Sequence, residues 1–318
     1  MHKHFYVITF FLSSLTIIGQ GSFHPNADMV GSNAIHKDSN VFVAWASSCI
    51  TQRGPQDIAV IGSPLVTAGD DYMATDKSGV NGVVSLGDGG VATLTFDQPL
   101  FDGPGYDFAV FENSFSNDFL ELAFVEVSSD GANYVRFDAT SEVQTNSQVD
   151  AFGLTDPTEI NNLAGKYRAQ YGTPFDLNEL DGITFLDVQN ITHVRVIDVI
   201  GSIAESFATF DAFGNKINDP YPTDFASGGF DLDAIGVINE KPLSIEENEI
   251  TFKIYPNPAS ILLNVVYPGN VELILYSVSG QIVFSTDFVD RVVVDLADFP
   301  KGVYFVSVLG HMQKLIIN

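Results

Sequence analysis

The stretch ELAFVEVSSDGANYVRF, residues 121–137, indicates the fold most clearly. Two runs in which apolar and polar residues alternate, 121–128 and 133–137, lie on either side of Asp130-Gly131. Alternation with a period of two is typical of half-buried strands, and Asp-Gly between two such runs predicts a β-hairpin. The stretch therefore predicts antiparallel sheet structure.

Similar runs continue through residues 23–240, and they predict further strands at 90–96, 106–111, 191–199 and 230–238. One helix is predicted between them. Asp156 is suited to the N-cap, Pro157 to the first helical position and Glu159 to the capping box, and the helix would end near Tyr171. The predicted fold class is all-β: a jelly-roll-like β-sandwich with one helix, followed by a small Ig-like β-sandwich.

Composition excludes several classes of protein. The chain has 318 residues, with 40 acidic and 14 basic side chains and a formal net charge of −26. A nucleic acid would be repelled by this charge, so we expect no nucleic-acid partner. The single Cys excludes an intrachain disulfide framework and a cysteine-based zinc site. Most of the acidic residues lie in 23–240, where Asp is far more frequent than Glu, as in turns and metal-binding loops.

The two ends are typical of export signals. Residues 1–22 combine a weakly basic start, an apolar run too short to span a bilayer and small residues after it, so they predict a signal peptide. No other stretch is long and apolar enough for a transmembrane segment. Residues 23–240 form the predicted binding domain, residues 241–250 an acidic linker, and residues 251–318 a domain of short strands.

Four motifs in residues 251–318 resemble those of a known family. They are YPNPA at 255–259, LYSVSGQ at 275–281, LADFPKGVYFV at 296–306 and KLII at 314–317. In this order they resemble the type A C-terminal sorting domain of the type IX secretion system. The resemblance implies a Gram-negative Bacteroidota host and contact with the secretion machinery through residues 251–318. It also implies a protein that is secreted or held on the outer cell surface.

The central domain also shows resemblances, which are shorter. VEVSSDGANY at 125–134 and FDLDAI at 230–235 resemble strands of discoidin-like and carbohydrate-binding jelly rolls. VSLGDGG at 84–90, YDFAVFENSF at 106–115 and GFDLDAI at 229–235 resemble uncharacterised Bacteroidota cell-surface proteins. Some of those proteins occur near vitamin B12 uptake systems. Together the two resemblances suggest carbohydrate and cobalamin as ligand classes, although the link to vitamin B12 is an association by neighbourhood.

Calcium is the one cofactor that the sequence indicates. Ca²⁺ takes six to eight oxygen ligands, and carboxylates close together in space could supply several of them. The competing interpretation is that the same side chains cap turns by accepting backbone N–H groups. The candidate ligands lie in a glycine-containing loop and at the ends of predicted strands: Asp198, Asp211, Asn215, Asp219, Asp231 and Asp233.

Aromatic residues in loop-like or polar surroundings are candidates for ligand binding. Sugars and corrinoid rings both bind against aromatic faces, with a few polar groups that fix their orientation. The competing interpretation places each ring at an end of the sandwich core. The candidates are Trp45, Tyr167, Tyr171, Phe213, Tyr221 and Phe225.

The sequence therefore predicts a non-catalytic binding protein, secreted or on the cell surface, whose ligand is a carbohydrate or a cofactor such as cobalamin. Two alternatives stay open. One is an extracellular glycan hydrolase that uses paired carboxylates, with Glu112 as an exposed candidate and Glu126 as a second. The other is a structural or adhesive surface protein without a small ligand.

Overall fold

A computed structural model describes residues 21–242 and 252–318. The predicted signal peptide, apart from its last two residues, and most of the predicted linker lie outside the described residues. The chain divides into two compact units between Leu243 and Ser244. Both units are built from strands, which confirms the all-β class. No helix within the described ranges is long and apolar enough to cross a membrane.

The first unit contains two large antiparallel sheets and a short ribbon. Sheet I has six strands and sheet II has five. The strands of sheet I are β1 (Ile35–His36), β2 (Ala44–Trp45), β4 (Val84–Ser85), β6 (Phe108–Glu112), β11 (Tyr171–Phe175) and β13 (Asp231–Val237). Those of sheet II are β3 (Ser48–Gln52), β5 (Val91–Leu100), β7 (Ala123–Ser128), β8 (Val135–Arg136) and β12 (Ile191–Asp198). The ribbon pairs β9 (Thr140–Ser141) with β10 (Ile160–Asn161).

One continuous apolar core lies between the two sheets and defines a sandwich. Strands of sheet I contribute Phe108, Val110 and Ile235, and strands of sheet II contribute Val125 and Val194. All five side chains are buried. The predicted β-sandwich is therefore confirmed.

The hairpin predicted from residues 121–137 is present. Strands β7 and β8 pair antiparallel, with Glu126 opposite Arg136 and Val127 opposite Val135. Asp130 accepts the backbone N–H groups of Asn133 and Ala132, both at 2.8 Å. These two hydrogen bonds are the largest causes of the lowered pKa of Asp130. The turn therefore has the local side-chain bonding that Asp-Gly predicts.

The predicted helix from Asp156 to Tyr171 is wrong. Only Pro157–Glu159 form a short 3₁₀ helix, and the chain then enters β10. The cap prediction is confirmed, since Asp156 accepts the N–H of Thr158 at 2.9 Å. Three later residues have positive φ, Asn162 at 52°, Gly165 at 82° and Gln170 at 76°, and each interrupts a right-handed helix. A Cβ on Gly165 would overlap the Glu121 carbonyl oxygen, so the close packing there also requires Gly.

Lys166, in the segment that follows, is a buried cation. The residue is only 3% exposed, and its Nζ donates one hydrogen bond to the Ile160 carbonyl at 2.7 Å. Burial lowers the pKa of Lys166 to about 8, against a small opposing effect from Asp156. Keeping the Lys166 ammonium charged therefore costs free energy in the folded state.

We predict that Lys166→Met stabilises the first unit by about 1–2 kcal/mol at pH 7. Between pH 8 and the ordinary lysine pKa the unfolded state binds more protons than the folded state, so wild-type stability rises with pH in that window. The advantage of the variant should shrink there and vanish above about pH 10. Urea unfolding at pH 7, 9 and 10.5 measures this, and a gain that is independent of pH would contradict the assigned cause.

The second unit is a single antiparallel sheet of five strands. The sequence predicts seven short strands here, at 252–255, 262–266, 271–276, 281–284, 292–296, 302–308 and 314–317. The two longest observed strands each span two of these predicted ones, and their register shifts between Val266 and Asn270. An apolar core that includes Leu263, Leu273 and Val306 lies inside the curled sheet. The strands are β14 (Lys253–Tyr255), β15 (Leu262–Ser277), β16 (Ile282–Asp295), β17 (Gly302–Val308) and β18 (His311–Ile317).

Candidate functional site

Three loops of the first unit meet at one end of the sandwich. The register places Glu112 opposite Leu232, and Ala123 opposite Asp198. The connection 113–122 between β6 and β7 and the connection 199–230 between β12 and β13 therefore emerge at the same end. The loop around residues 146–156 joins them, because Thr155 donates its N–H to the Asp118 carbonyl and Tyr221 donates to Val149.

Four phenylalanines from these loops form a continuous row, which we name the phenylalanine strip. The ring centroids of Phe115 and Phe119 are 4.7 Å apart, those of Phe119 and Phe152 6.3 Å, and those of Phe152 and Phe225 5.7 Å. Phe119 is buried in the middle, whereas Phe115, Phe152 and Phe225 are 77%, 67% and 42% exposed. A contiguous exposed apolar surface of this kind is typical of an interaction site.

A shallow depression of about 320 Å³ adjoins the strip. Its lining residues are mostly polar: Asn26, Asp118, Leu154, Thr155 and Asp156. Within the described part of the chain, Asn26 Oδ1 and Thr155 Oγ1 are buried and have no hydrogen-bond partner. Unpartnered polar atoms of this kind are costly unless a ligand or water meets them.

A second feature, which we name the buried carboxylate cluster, adjoins the ends of the connection that carries Phe115 and Phe119. Its members are Glu112, Glu121, Asp219 and Asp231. Glu112 and Asp219 are buried, and Glu121 and Asp231 are half-buried. Two hydrogen bonds connect it to the strip-bearing loop: Ser114 N–H donates to Glu112 at 2.6 Å, and Leu122 N–H donates to Asp219 Oδ2 at 2.9 Å.

Burial and mutual repulsion set the electrostatics of this cluster. Burial is the largest cause that raises the pKa of Glu112 well above its ordinary value, and the Asp231 carboxylate raises it further. The pKa of Glu121 is raised well above its ordinary value by burial and then by Glu112. Burial likewise raises the pKa of Asp219 well above normal and that of Asp231 to about 6. The cluster therefore favours protons or a cation.

Of the six aromatic residues predicted to bind ligand, the structure places only Phe225 in the strip. Tyr221 lies nearby, but its hydroxyl donates to Asp57 at 2.8 Å. The remaining four lie elsewhere in the unit. Trp45 packs on Phe42 and Phe111, Tyr167 is buried, Tyr171 packs against His36, and Phe213 is an exposed residue of a tight turn.

The six predicted metal ligands do not form one group. Asp219 and Asp231 belong to the buried carboxylate cluster. Asp198 accepts the N–H groups of Gly89 and Phe230, so it links strands at the same end.

The other three predicted ligands are held by hydrogen bonds to loop residues, some of them distant in sequence. Asp211 accepts the N–H groups of Phe213 and Asn215, and Asn215 also donates its side-chain amide to Asp211. Asp233 accepts from Ser78 and Gly79. In these residues the hydrogen bonds are those of turn and loop capping.

Another acidic group was missed by the sequence analysis. Carboxylate oxygens of Asp102, Asp107 and Asp176 all lie within 4.8 Å of one another, and no other such group occurs in residues 21–242 and 252–318. Asp107 is fully buried and accepts N–H groups from Gly103, Leu177 and the Asn239 side chain. Its oxygens are therefore already satisfied by the protein.

The carboxylates considered for hydrolysis are held in different ways. Glu112 is only 1% exposed. Glu126 lies on the outer face of sheet II, where it pairs with Arg136 at 2.9 Å and with Arg195 at 3.3 Å. The two do not form a pair with each other.

Comparison with known proteins explains the second unit. The family described as "Secretion system C-terminal sorting domain" matches residues 253–318. The protein is secreted. The sorting domain directs it to the outer surface or the extracellular space, and it implies contact with the type IX secretion machinery.

A distant relative matches part of this chain. Beta-agarase A of Zobellia galactanivorans is 28% identical over 185 residues, an alignment that covers 54% of this chain and 28% of that enzyme. The chain thus spans less than a third of the length of this relative.

Two solved structures show weak similarity. The BSP domain of a biofilm associated protein shares 12% identity at a TM-score of 0.18, covering 72% of this chain and 48% of that one. The beta-glucuronidase of Ruminococcus gnavus shares 10% identity at a TM-score of 0.22, covering 95% of this chain and 46% of that one. These scores are too low to support an argument about function.

Proposed function

We propose that the secreted protein is a non-catalytic carbohydrate-binding protein whose ligand lies on the phenylalanine strip and in the adjoining depression. The observation that carries this proposal is the row of exposed aromatic rings beside a depression that is lined mostly by polar side chains. Sugar rings present C–H groups on their faces and hydroxyls at their edges. An aromatic surface next to amide, hydroxyl and carboxylate groups can meet both requirements.

Charge narrows the ligand class to neutral glycans. Asp118 and Asp156 line the depression, and the chain as a whole has a formal net charge of −26. A uronic or sulfated glycan would be repelled from such a surface. The partial sequence likeness to a β-agarase adds support for a polysaccharide ligand.

Cobalamin is less well supported as the ligand. A corrinoid ring needs a deep, largely apolar pocket that covers most of its surface. The depression beside the strip is shallow and mostly polar in its lining. The test below therefore includes cobalamin as a ligand that we expect not to bind.

The test is a glycan array probed with the labelled mature protein, together with a cobalamin titration. We expect binding to one or more neutral glycans, weak or no binding to anionic glycans, and no binding to cobalamin. The variant Asn26→Ala plus Thr155→Val should bind the same glycans more weakly, because it removes two of the polar side chains that line the depression. Silence across all neutral glycans would contradict the proposal.

Glycan hydrolysis is a second candidate, supported by the proximity and raised pKa values of Glu112 and Glu121. A carboxylic acid with a raised pKa can act as a general acid. The near-complete burial of Glu112 speaks against direct contact with a sugar. Release of new reducing ends from a bound glycan, lost in Glu121→Gln, would establish this candidate in place of the first.

A further inference from the structure

We propose that a separate cleft in the first unit, which we name the arginine cleft, binds one unit of a neutral sugar. It has a volume of about 230 Å³, and its lining includes Phe124, Arg136, Asp138 and Phe210. Drug-sized ligands occupy sites of roughly 300–1,000 Å³, so a cleft of this size fits a single ring. It shares no lining residue with the depression beside the phenylalanine strip.

The two segments that form the cleft are fastened to each other by hydrogen bonds. One segment follows β8, and the other lies in the connection between β12 and β13. Ala212 donates its N–H to the Ala139 carbonyl at 3.0 Å, and Ser141 donates its N–H to Asp211 at 3.1 Å. The shape of the cleft is therefore set before a ligand arrives, which reduces the entropy that binding must cost.

Arg136 supplies hydrogen-bond donors in a fixed orientation. Its Cζ lies 4.1 Å from the centroid of the Phe124 ring, and its Nε and Nη2 donate to Glu126 Oε1 at 3.0 and 2.9 Å. A guanidinium has five N–H groups, so three are left over, and no acceptor in the described part of the chain takes them. The side chain is 43% exposed. Hydroxyl groups of a ligand can therefore reach donors that are already oriented.

Asp138 and Phe210 supply the complementary groups. Asp138 is exposed, and within residues 21–242 its carboxylate forms no ion pair. Phe210 is 45% exposed and offers an apolar ring. A sugar has hydroxyls that donate and accept and ring faces that carry C–H groups, so it can use all three side chains. Arg136 disfavours a cation and Asp138 an anion, and together they favour a neutral ligand.

A second sugar site would change how the chain binds a polysaccharide. Two sites on one chain can hold two points of the same glycan, and the second contact is then strengthened by its high effective concentration. One sugar unit in a small cleft binds weakly, so this gain appears only with long glycans. This consequence rests on the proposed function, whereas the cleft itself does not.

The experiment is a ligand-observed NMR titration of the mature protein with the methyl glycosides of glucose, galactose, mannose and N-acetylglucosamine. We expect saturable binding of at least one of them at millimolar concentration. Phe210→Ala should weaken this binding about fivefold or more, because it removes the ring contact. Asp138→Ala, at an exposed position, should also weaken it and serves as the second variant should Phe210→Ala fail to fold.

Phe213→Ala is the matched control, because this ring lies close to Phe210 in sequence but does not line the cleft. It should bind the glycosides like the wild type, and so should Phe115→Ala plus Phe152→Ala. The inference is overturned if none of the four glycosides binds, or if binding is unchanged in folded Phe210→Ala and Asp138→Ala. Binding that is lost in the strip variant instead would overturn the cleft and support the strip as the sugar site.

The array of the preceding section tests the strip separately. Silence of the array together with glycoside binding in the arginine cleft would contradict the proposed function and leave this inference standing.

Discussion

A chain that lacks residues 253–318 should be absent from the cell exterior and should accumulate in the periplasm. The sorting domain is the part of the chain that matches a secretion family, and it has its own apolar core. The first unit has a separate core between its two sheets, so the truncated protein should still fold. Loss of export without loss of folding is therefore the expected phenotype.

Fractionation of a Bacteroidota host that has a type IX system measures this effect. The full chain should be found in the medium or on the surface, and the truncated chain only in the periplasm, so we expect a nearly complete change of location. A full-length chain with Phe213→Ala, an exposed residue of the first unit, is the control and should be exported normally. Truncated protein in the medium of intact cells would show that the sorting domain is dispensable.

The second large effect concerns the phenylalanine strip. Replacing Phe115 and Phe152 together by Ala should weaken glycan binding about 30-fold or more. Each exposed ring should contribute about 1–2 kcal/mol to binding, and 1.4 kcal/mol corresponds to a factor of ten in Kd. Both rings are mostly exposed, so their removal leaves the sandwich core intact.

The stability of the double variant separates binding from folding. Surface substitutions away from special features usually change the free energy of unfolding by less than about 0.5 kcal/mol. Some loss is expected here because both rings stack against Phe119. The single variant Phe213→Ala removes a ring that is 71% exposed and lies outside the strip, and it should leave both binding and stability unchanged.

Local patterns were sufficient to predict six of the thirteen strands described in the first unit, β5 to β8, β12 and β13, but not β1 to β4 or β9 to β11. The Asp130-Gly131 turn and its two alternating runs became β7 and β8, and residues 191–199 and 230–238 became β12 and β13. These elements follow from side chains within a few residues of one another, where period and turn chemistry are visible in sequence. The helix prediction failed because a correct cap at Asp156 says nothing about Asn162 and Gly165, whose positive φ angles follow from packing.

The candidate site could be predicted only in part. Phe225 was expected to bind ligand, but Phe119 and Phe152 contact each other from loops that are separate in sequence. Single residues in a loop carry no periodic signal, and only the strand register shows which loops share an end. The excess of Asp in the sequence predicted carboxylates that lie close together, and Asp219 and Asp231 were among the candidates. The sequence did not indicate that Glu112 and Glu121 belong to the same cluster, because tertiary packing brings them there.

The most direct test of carbohydrate binding is a calorimetric titration of the best neutral glycan from the array into four mature proteins. They are the wild type, Phe115→Ala plus Phe152→Ala, Phe213→Ala, and Asn26→Ala plus Thr155→Val. The proposed site predicts saturable binding to the wild type and to Phe213→Ala, and binding weakened about 30-fold or more in the strip variant. Equal affinity of the wild type and the folded strip variant would contradict it.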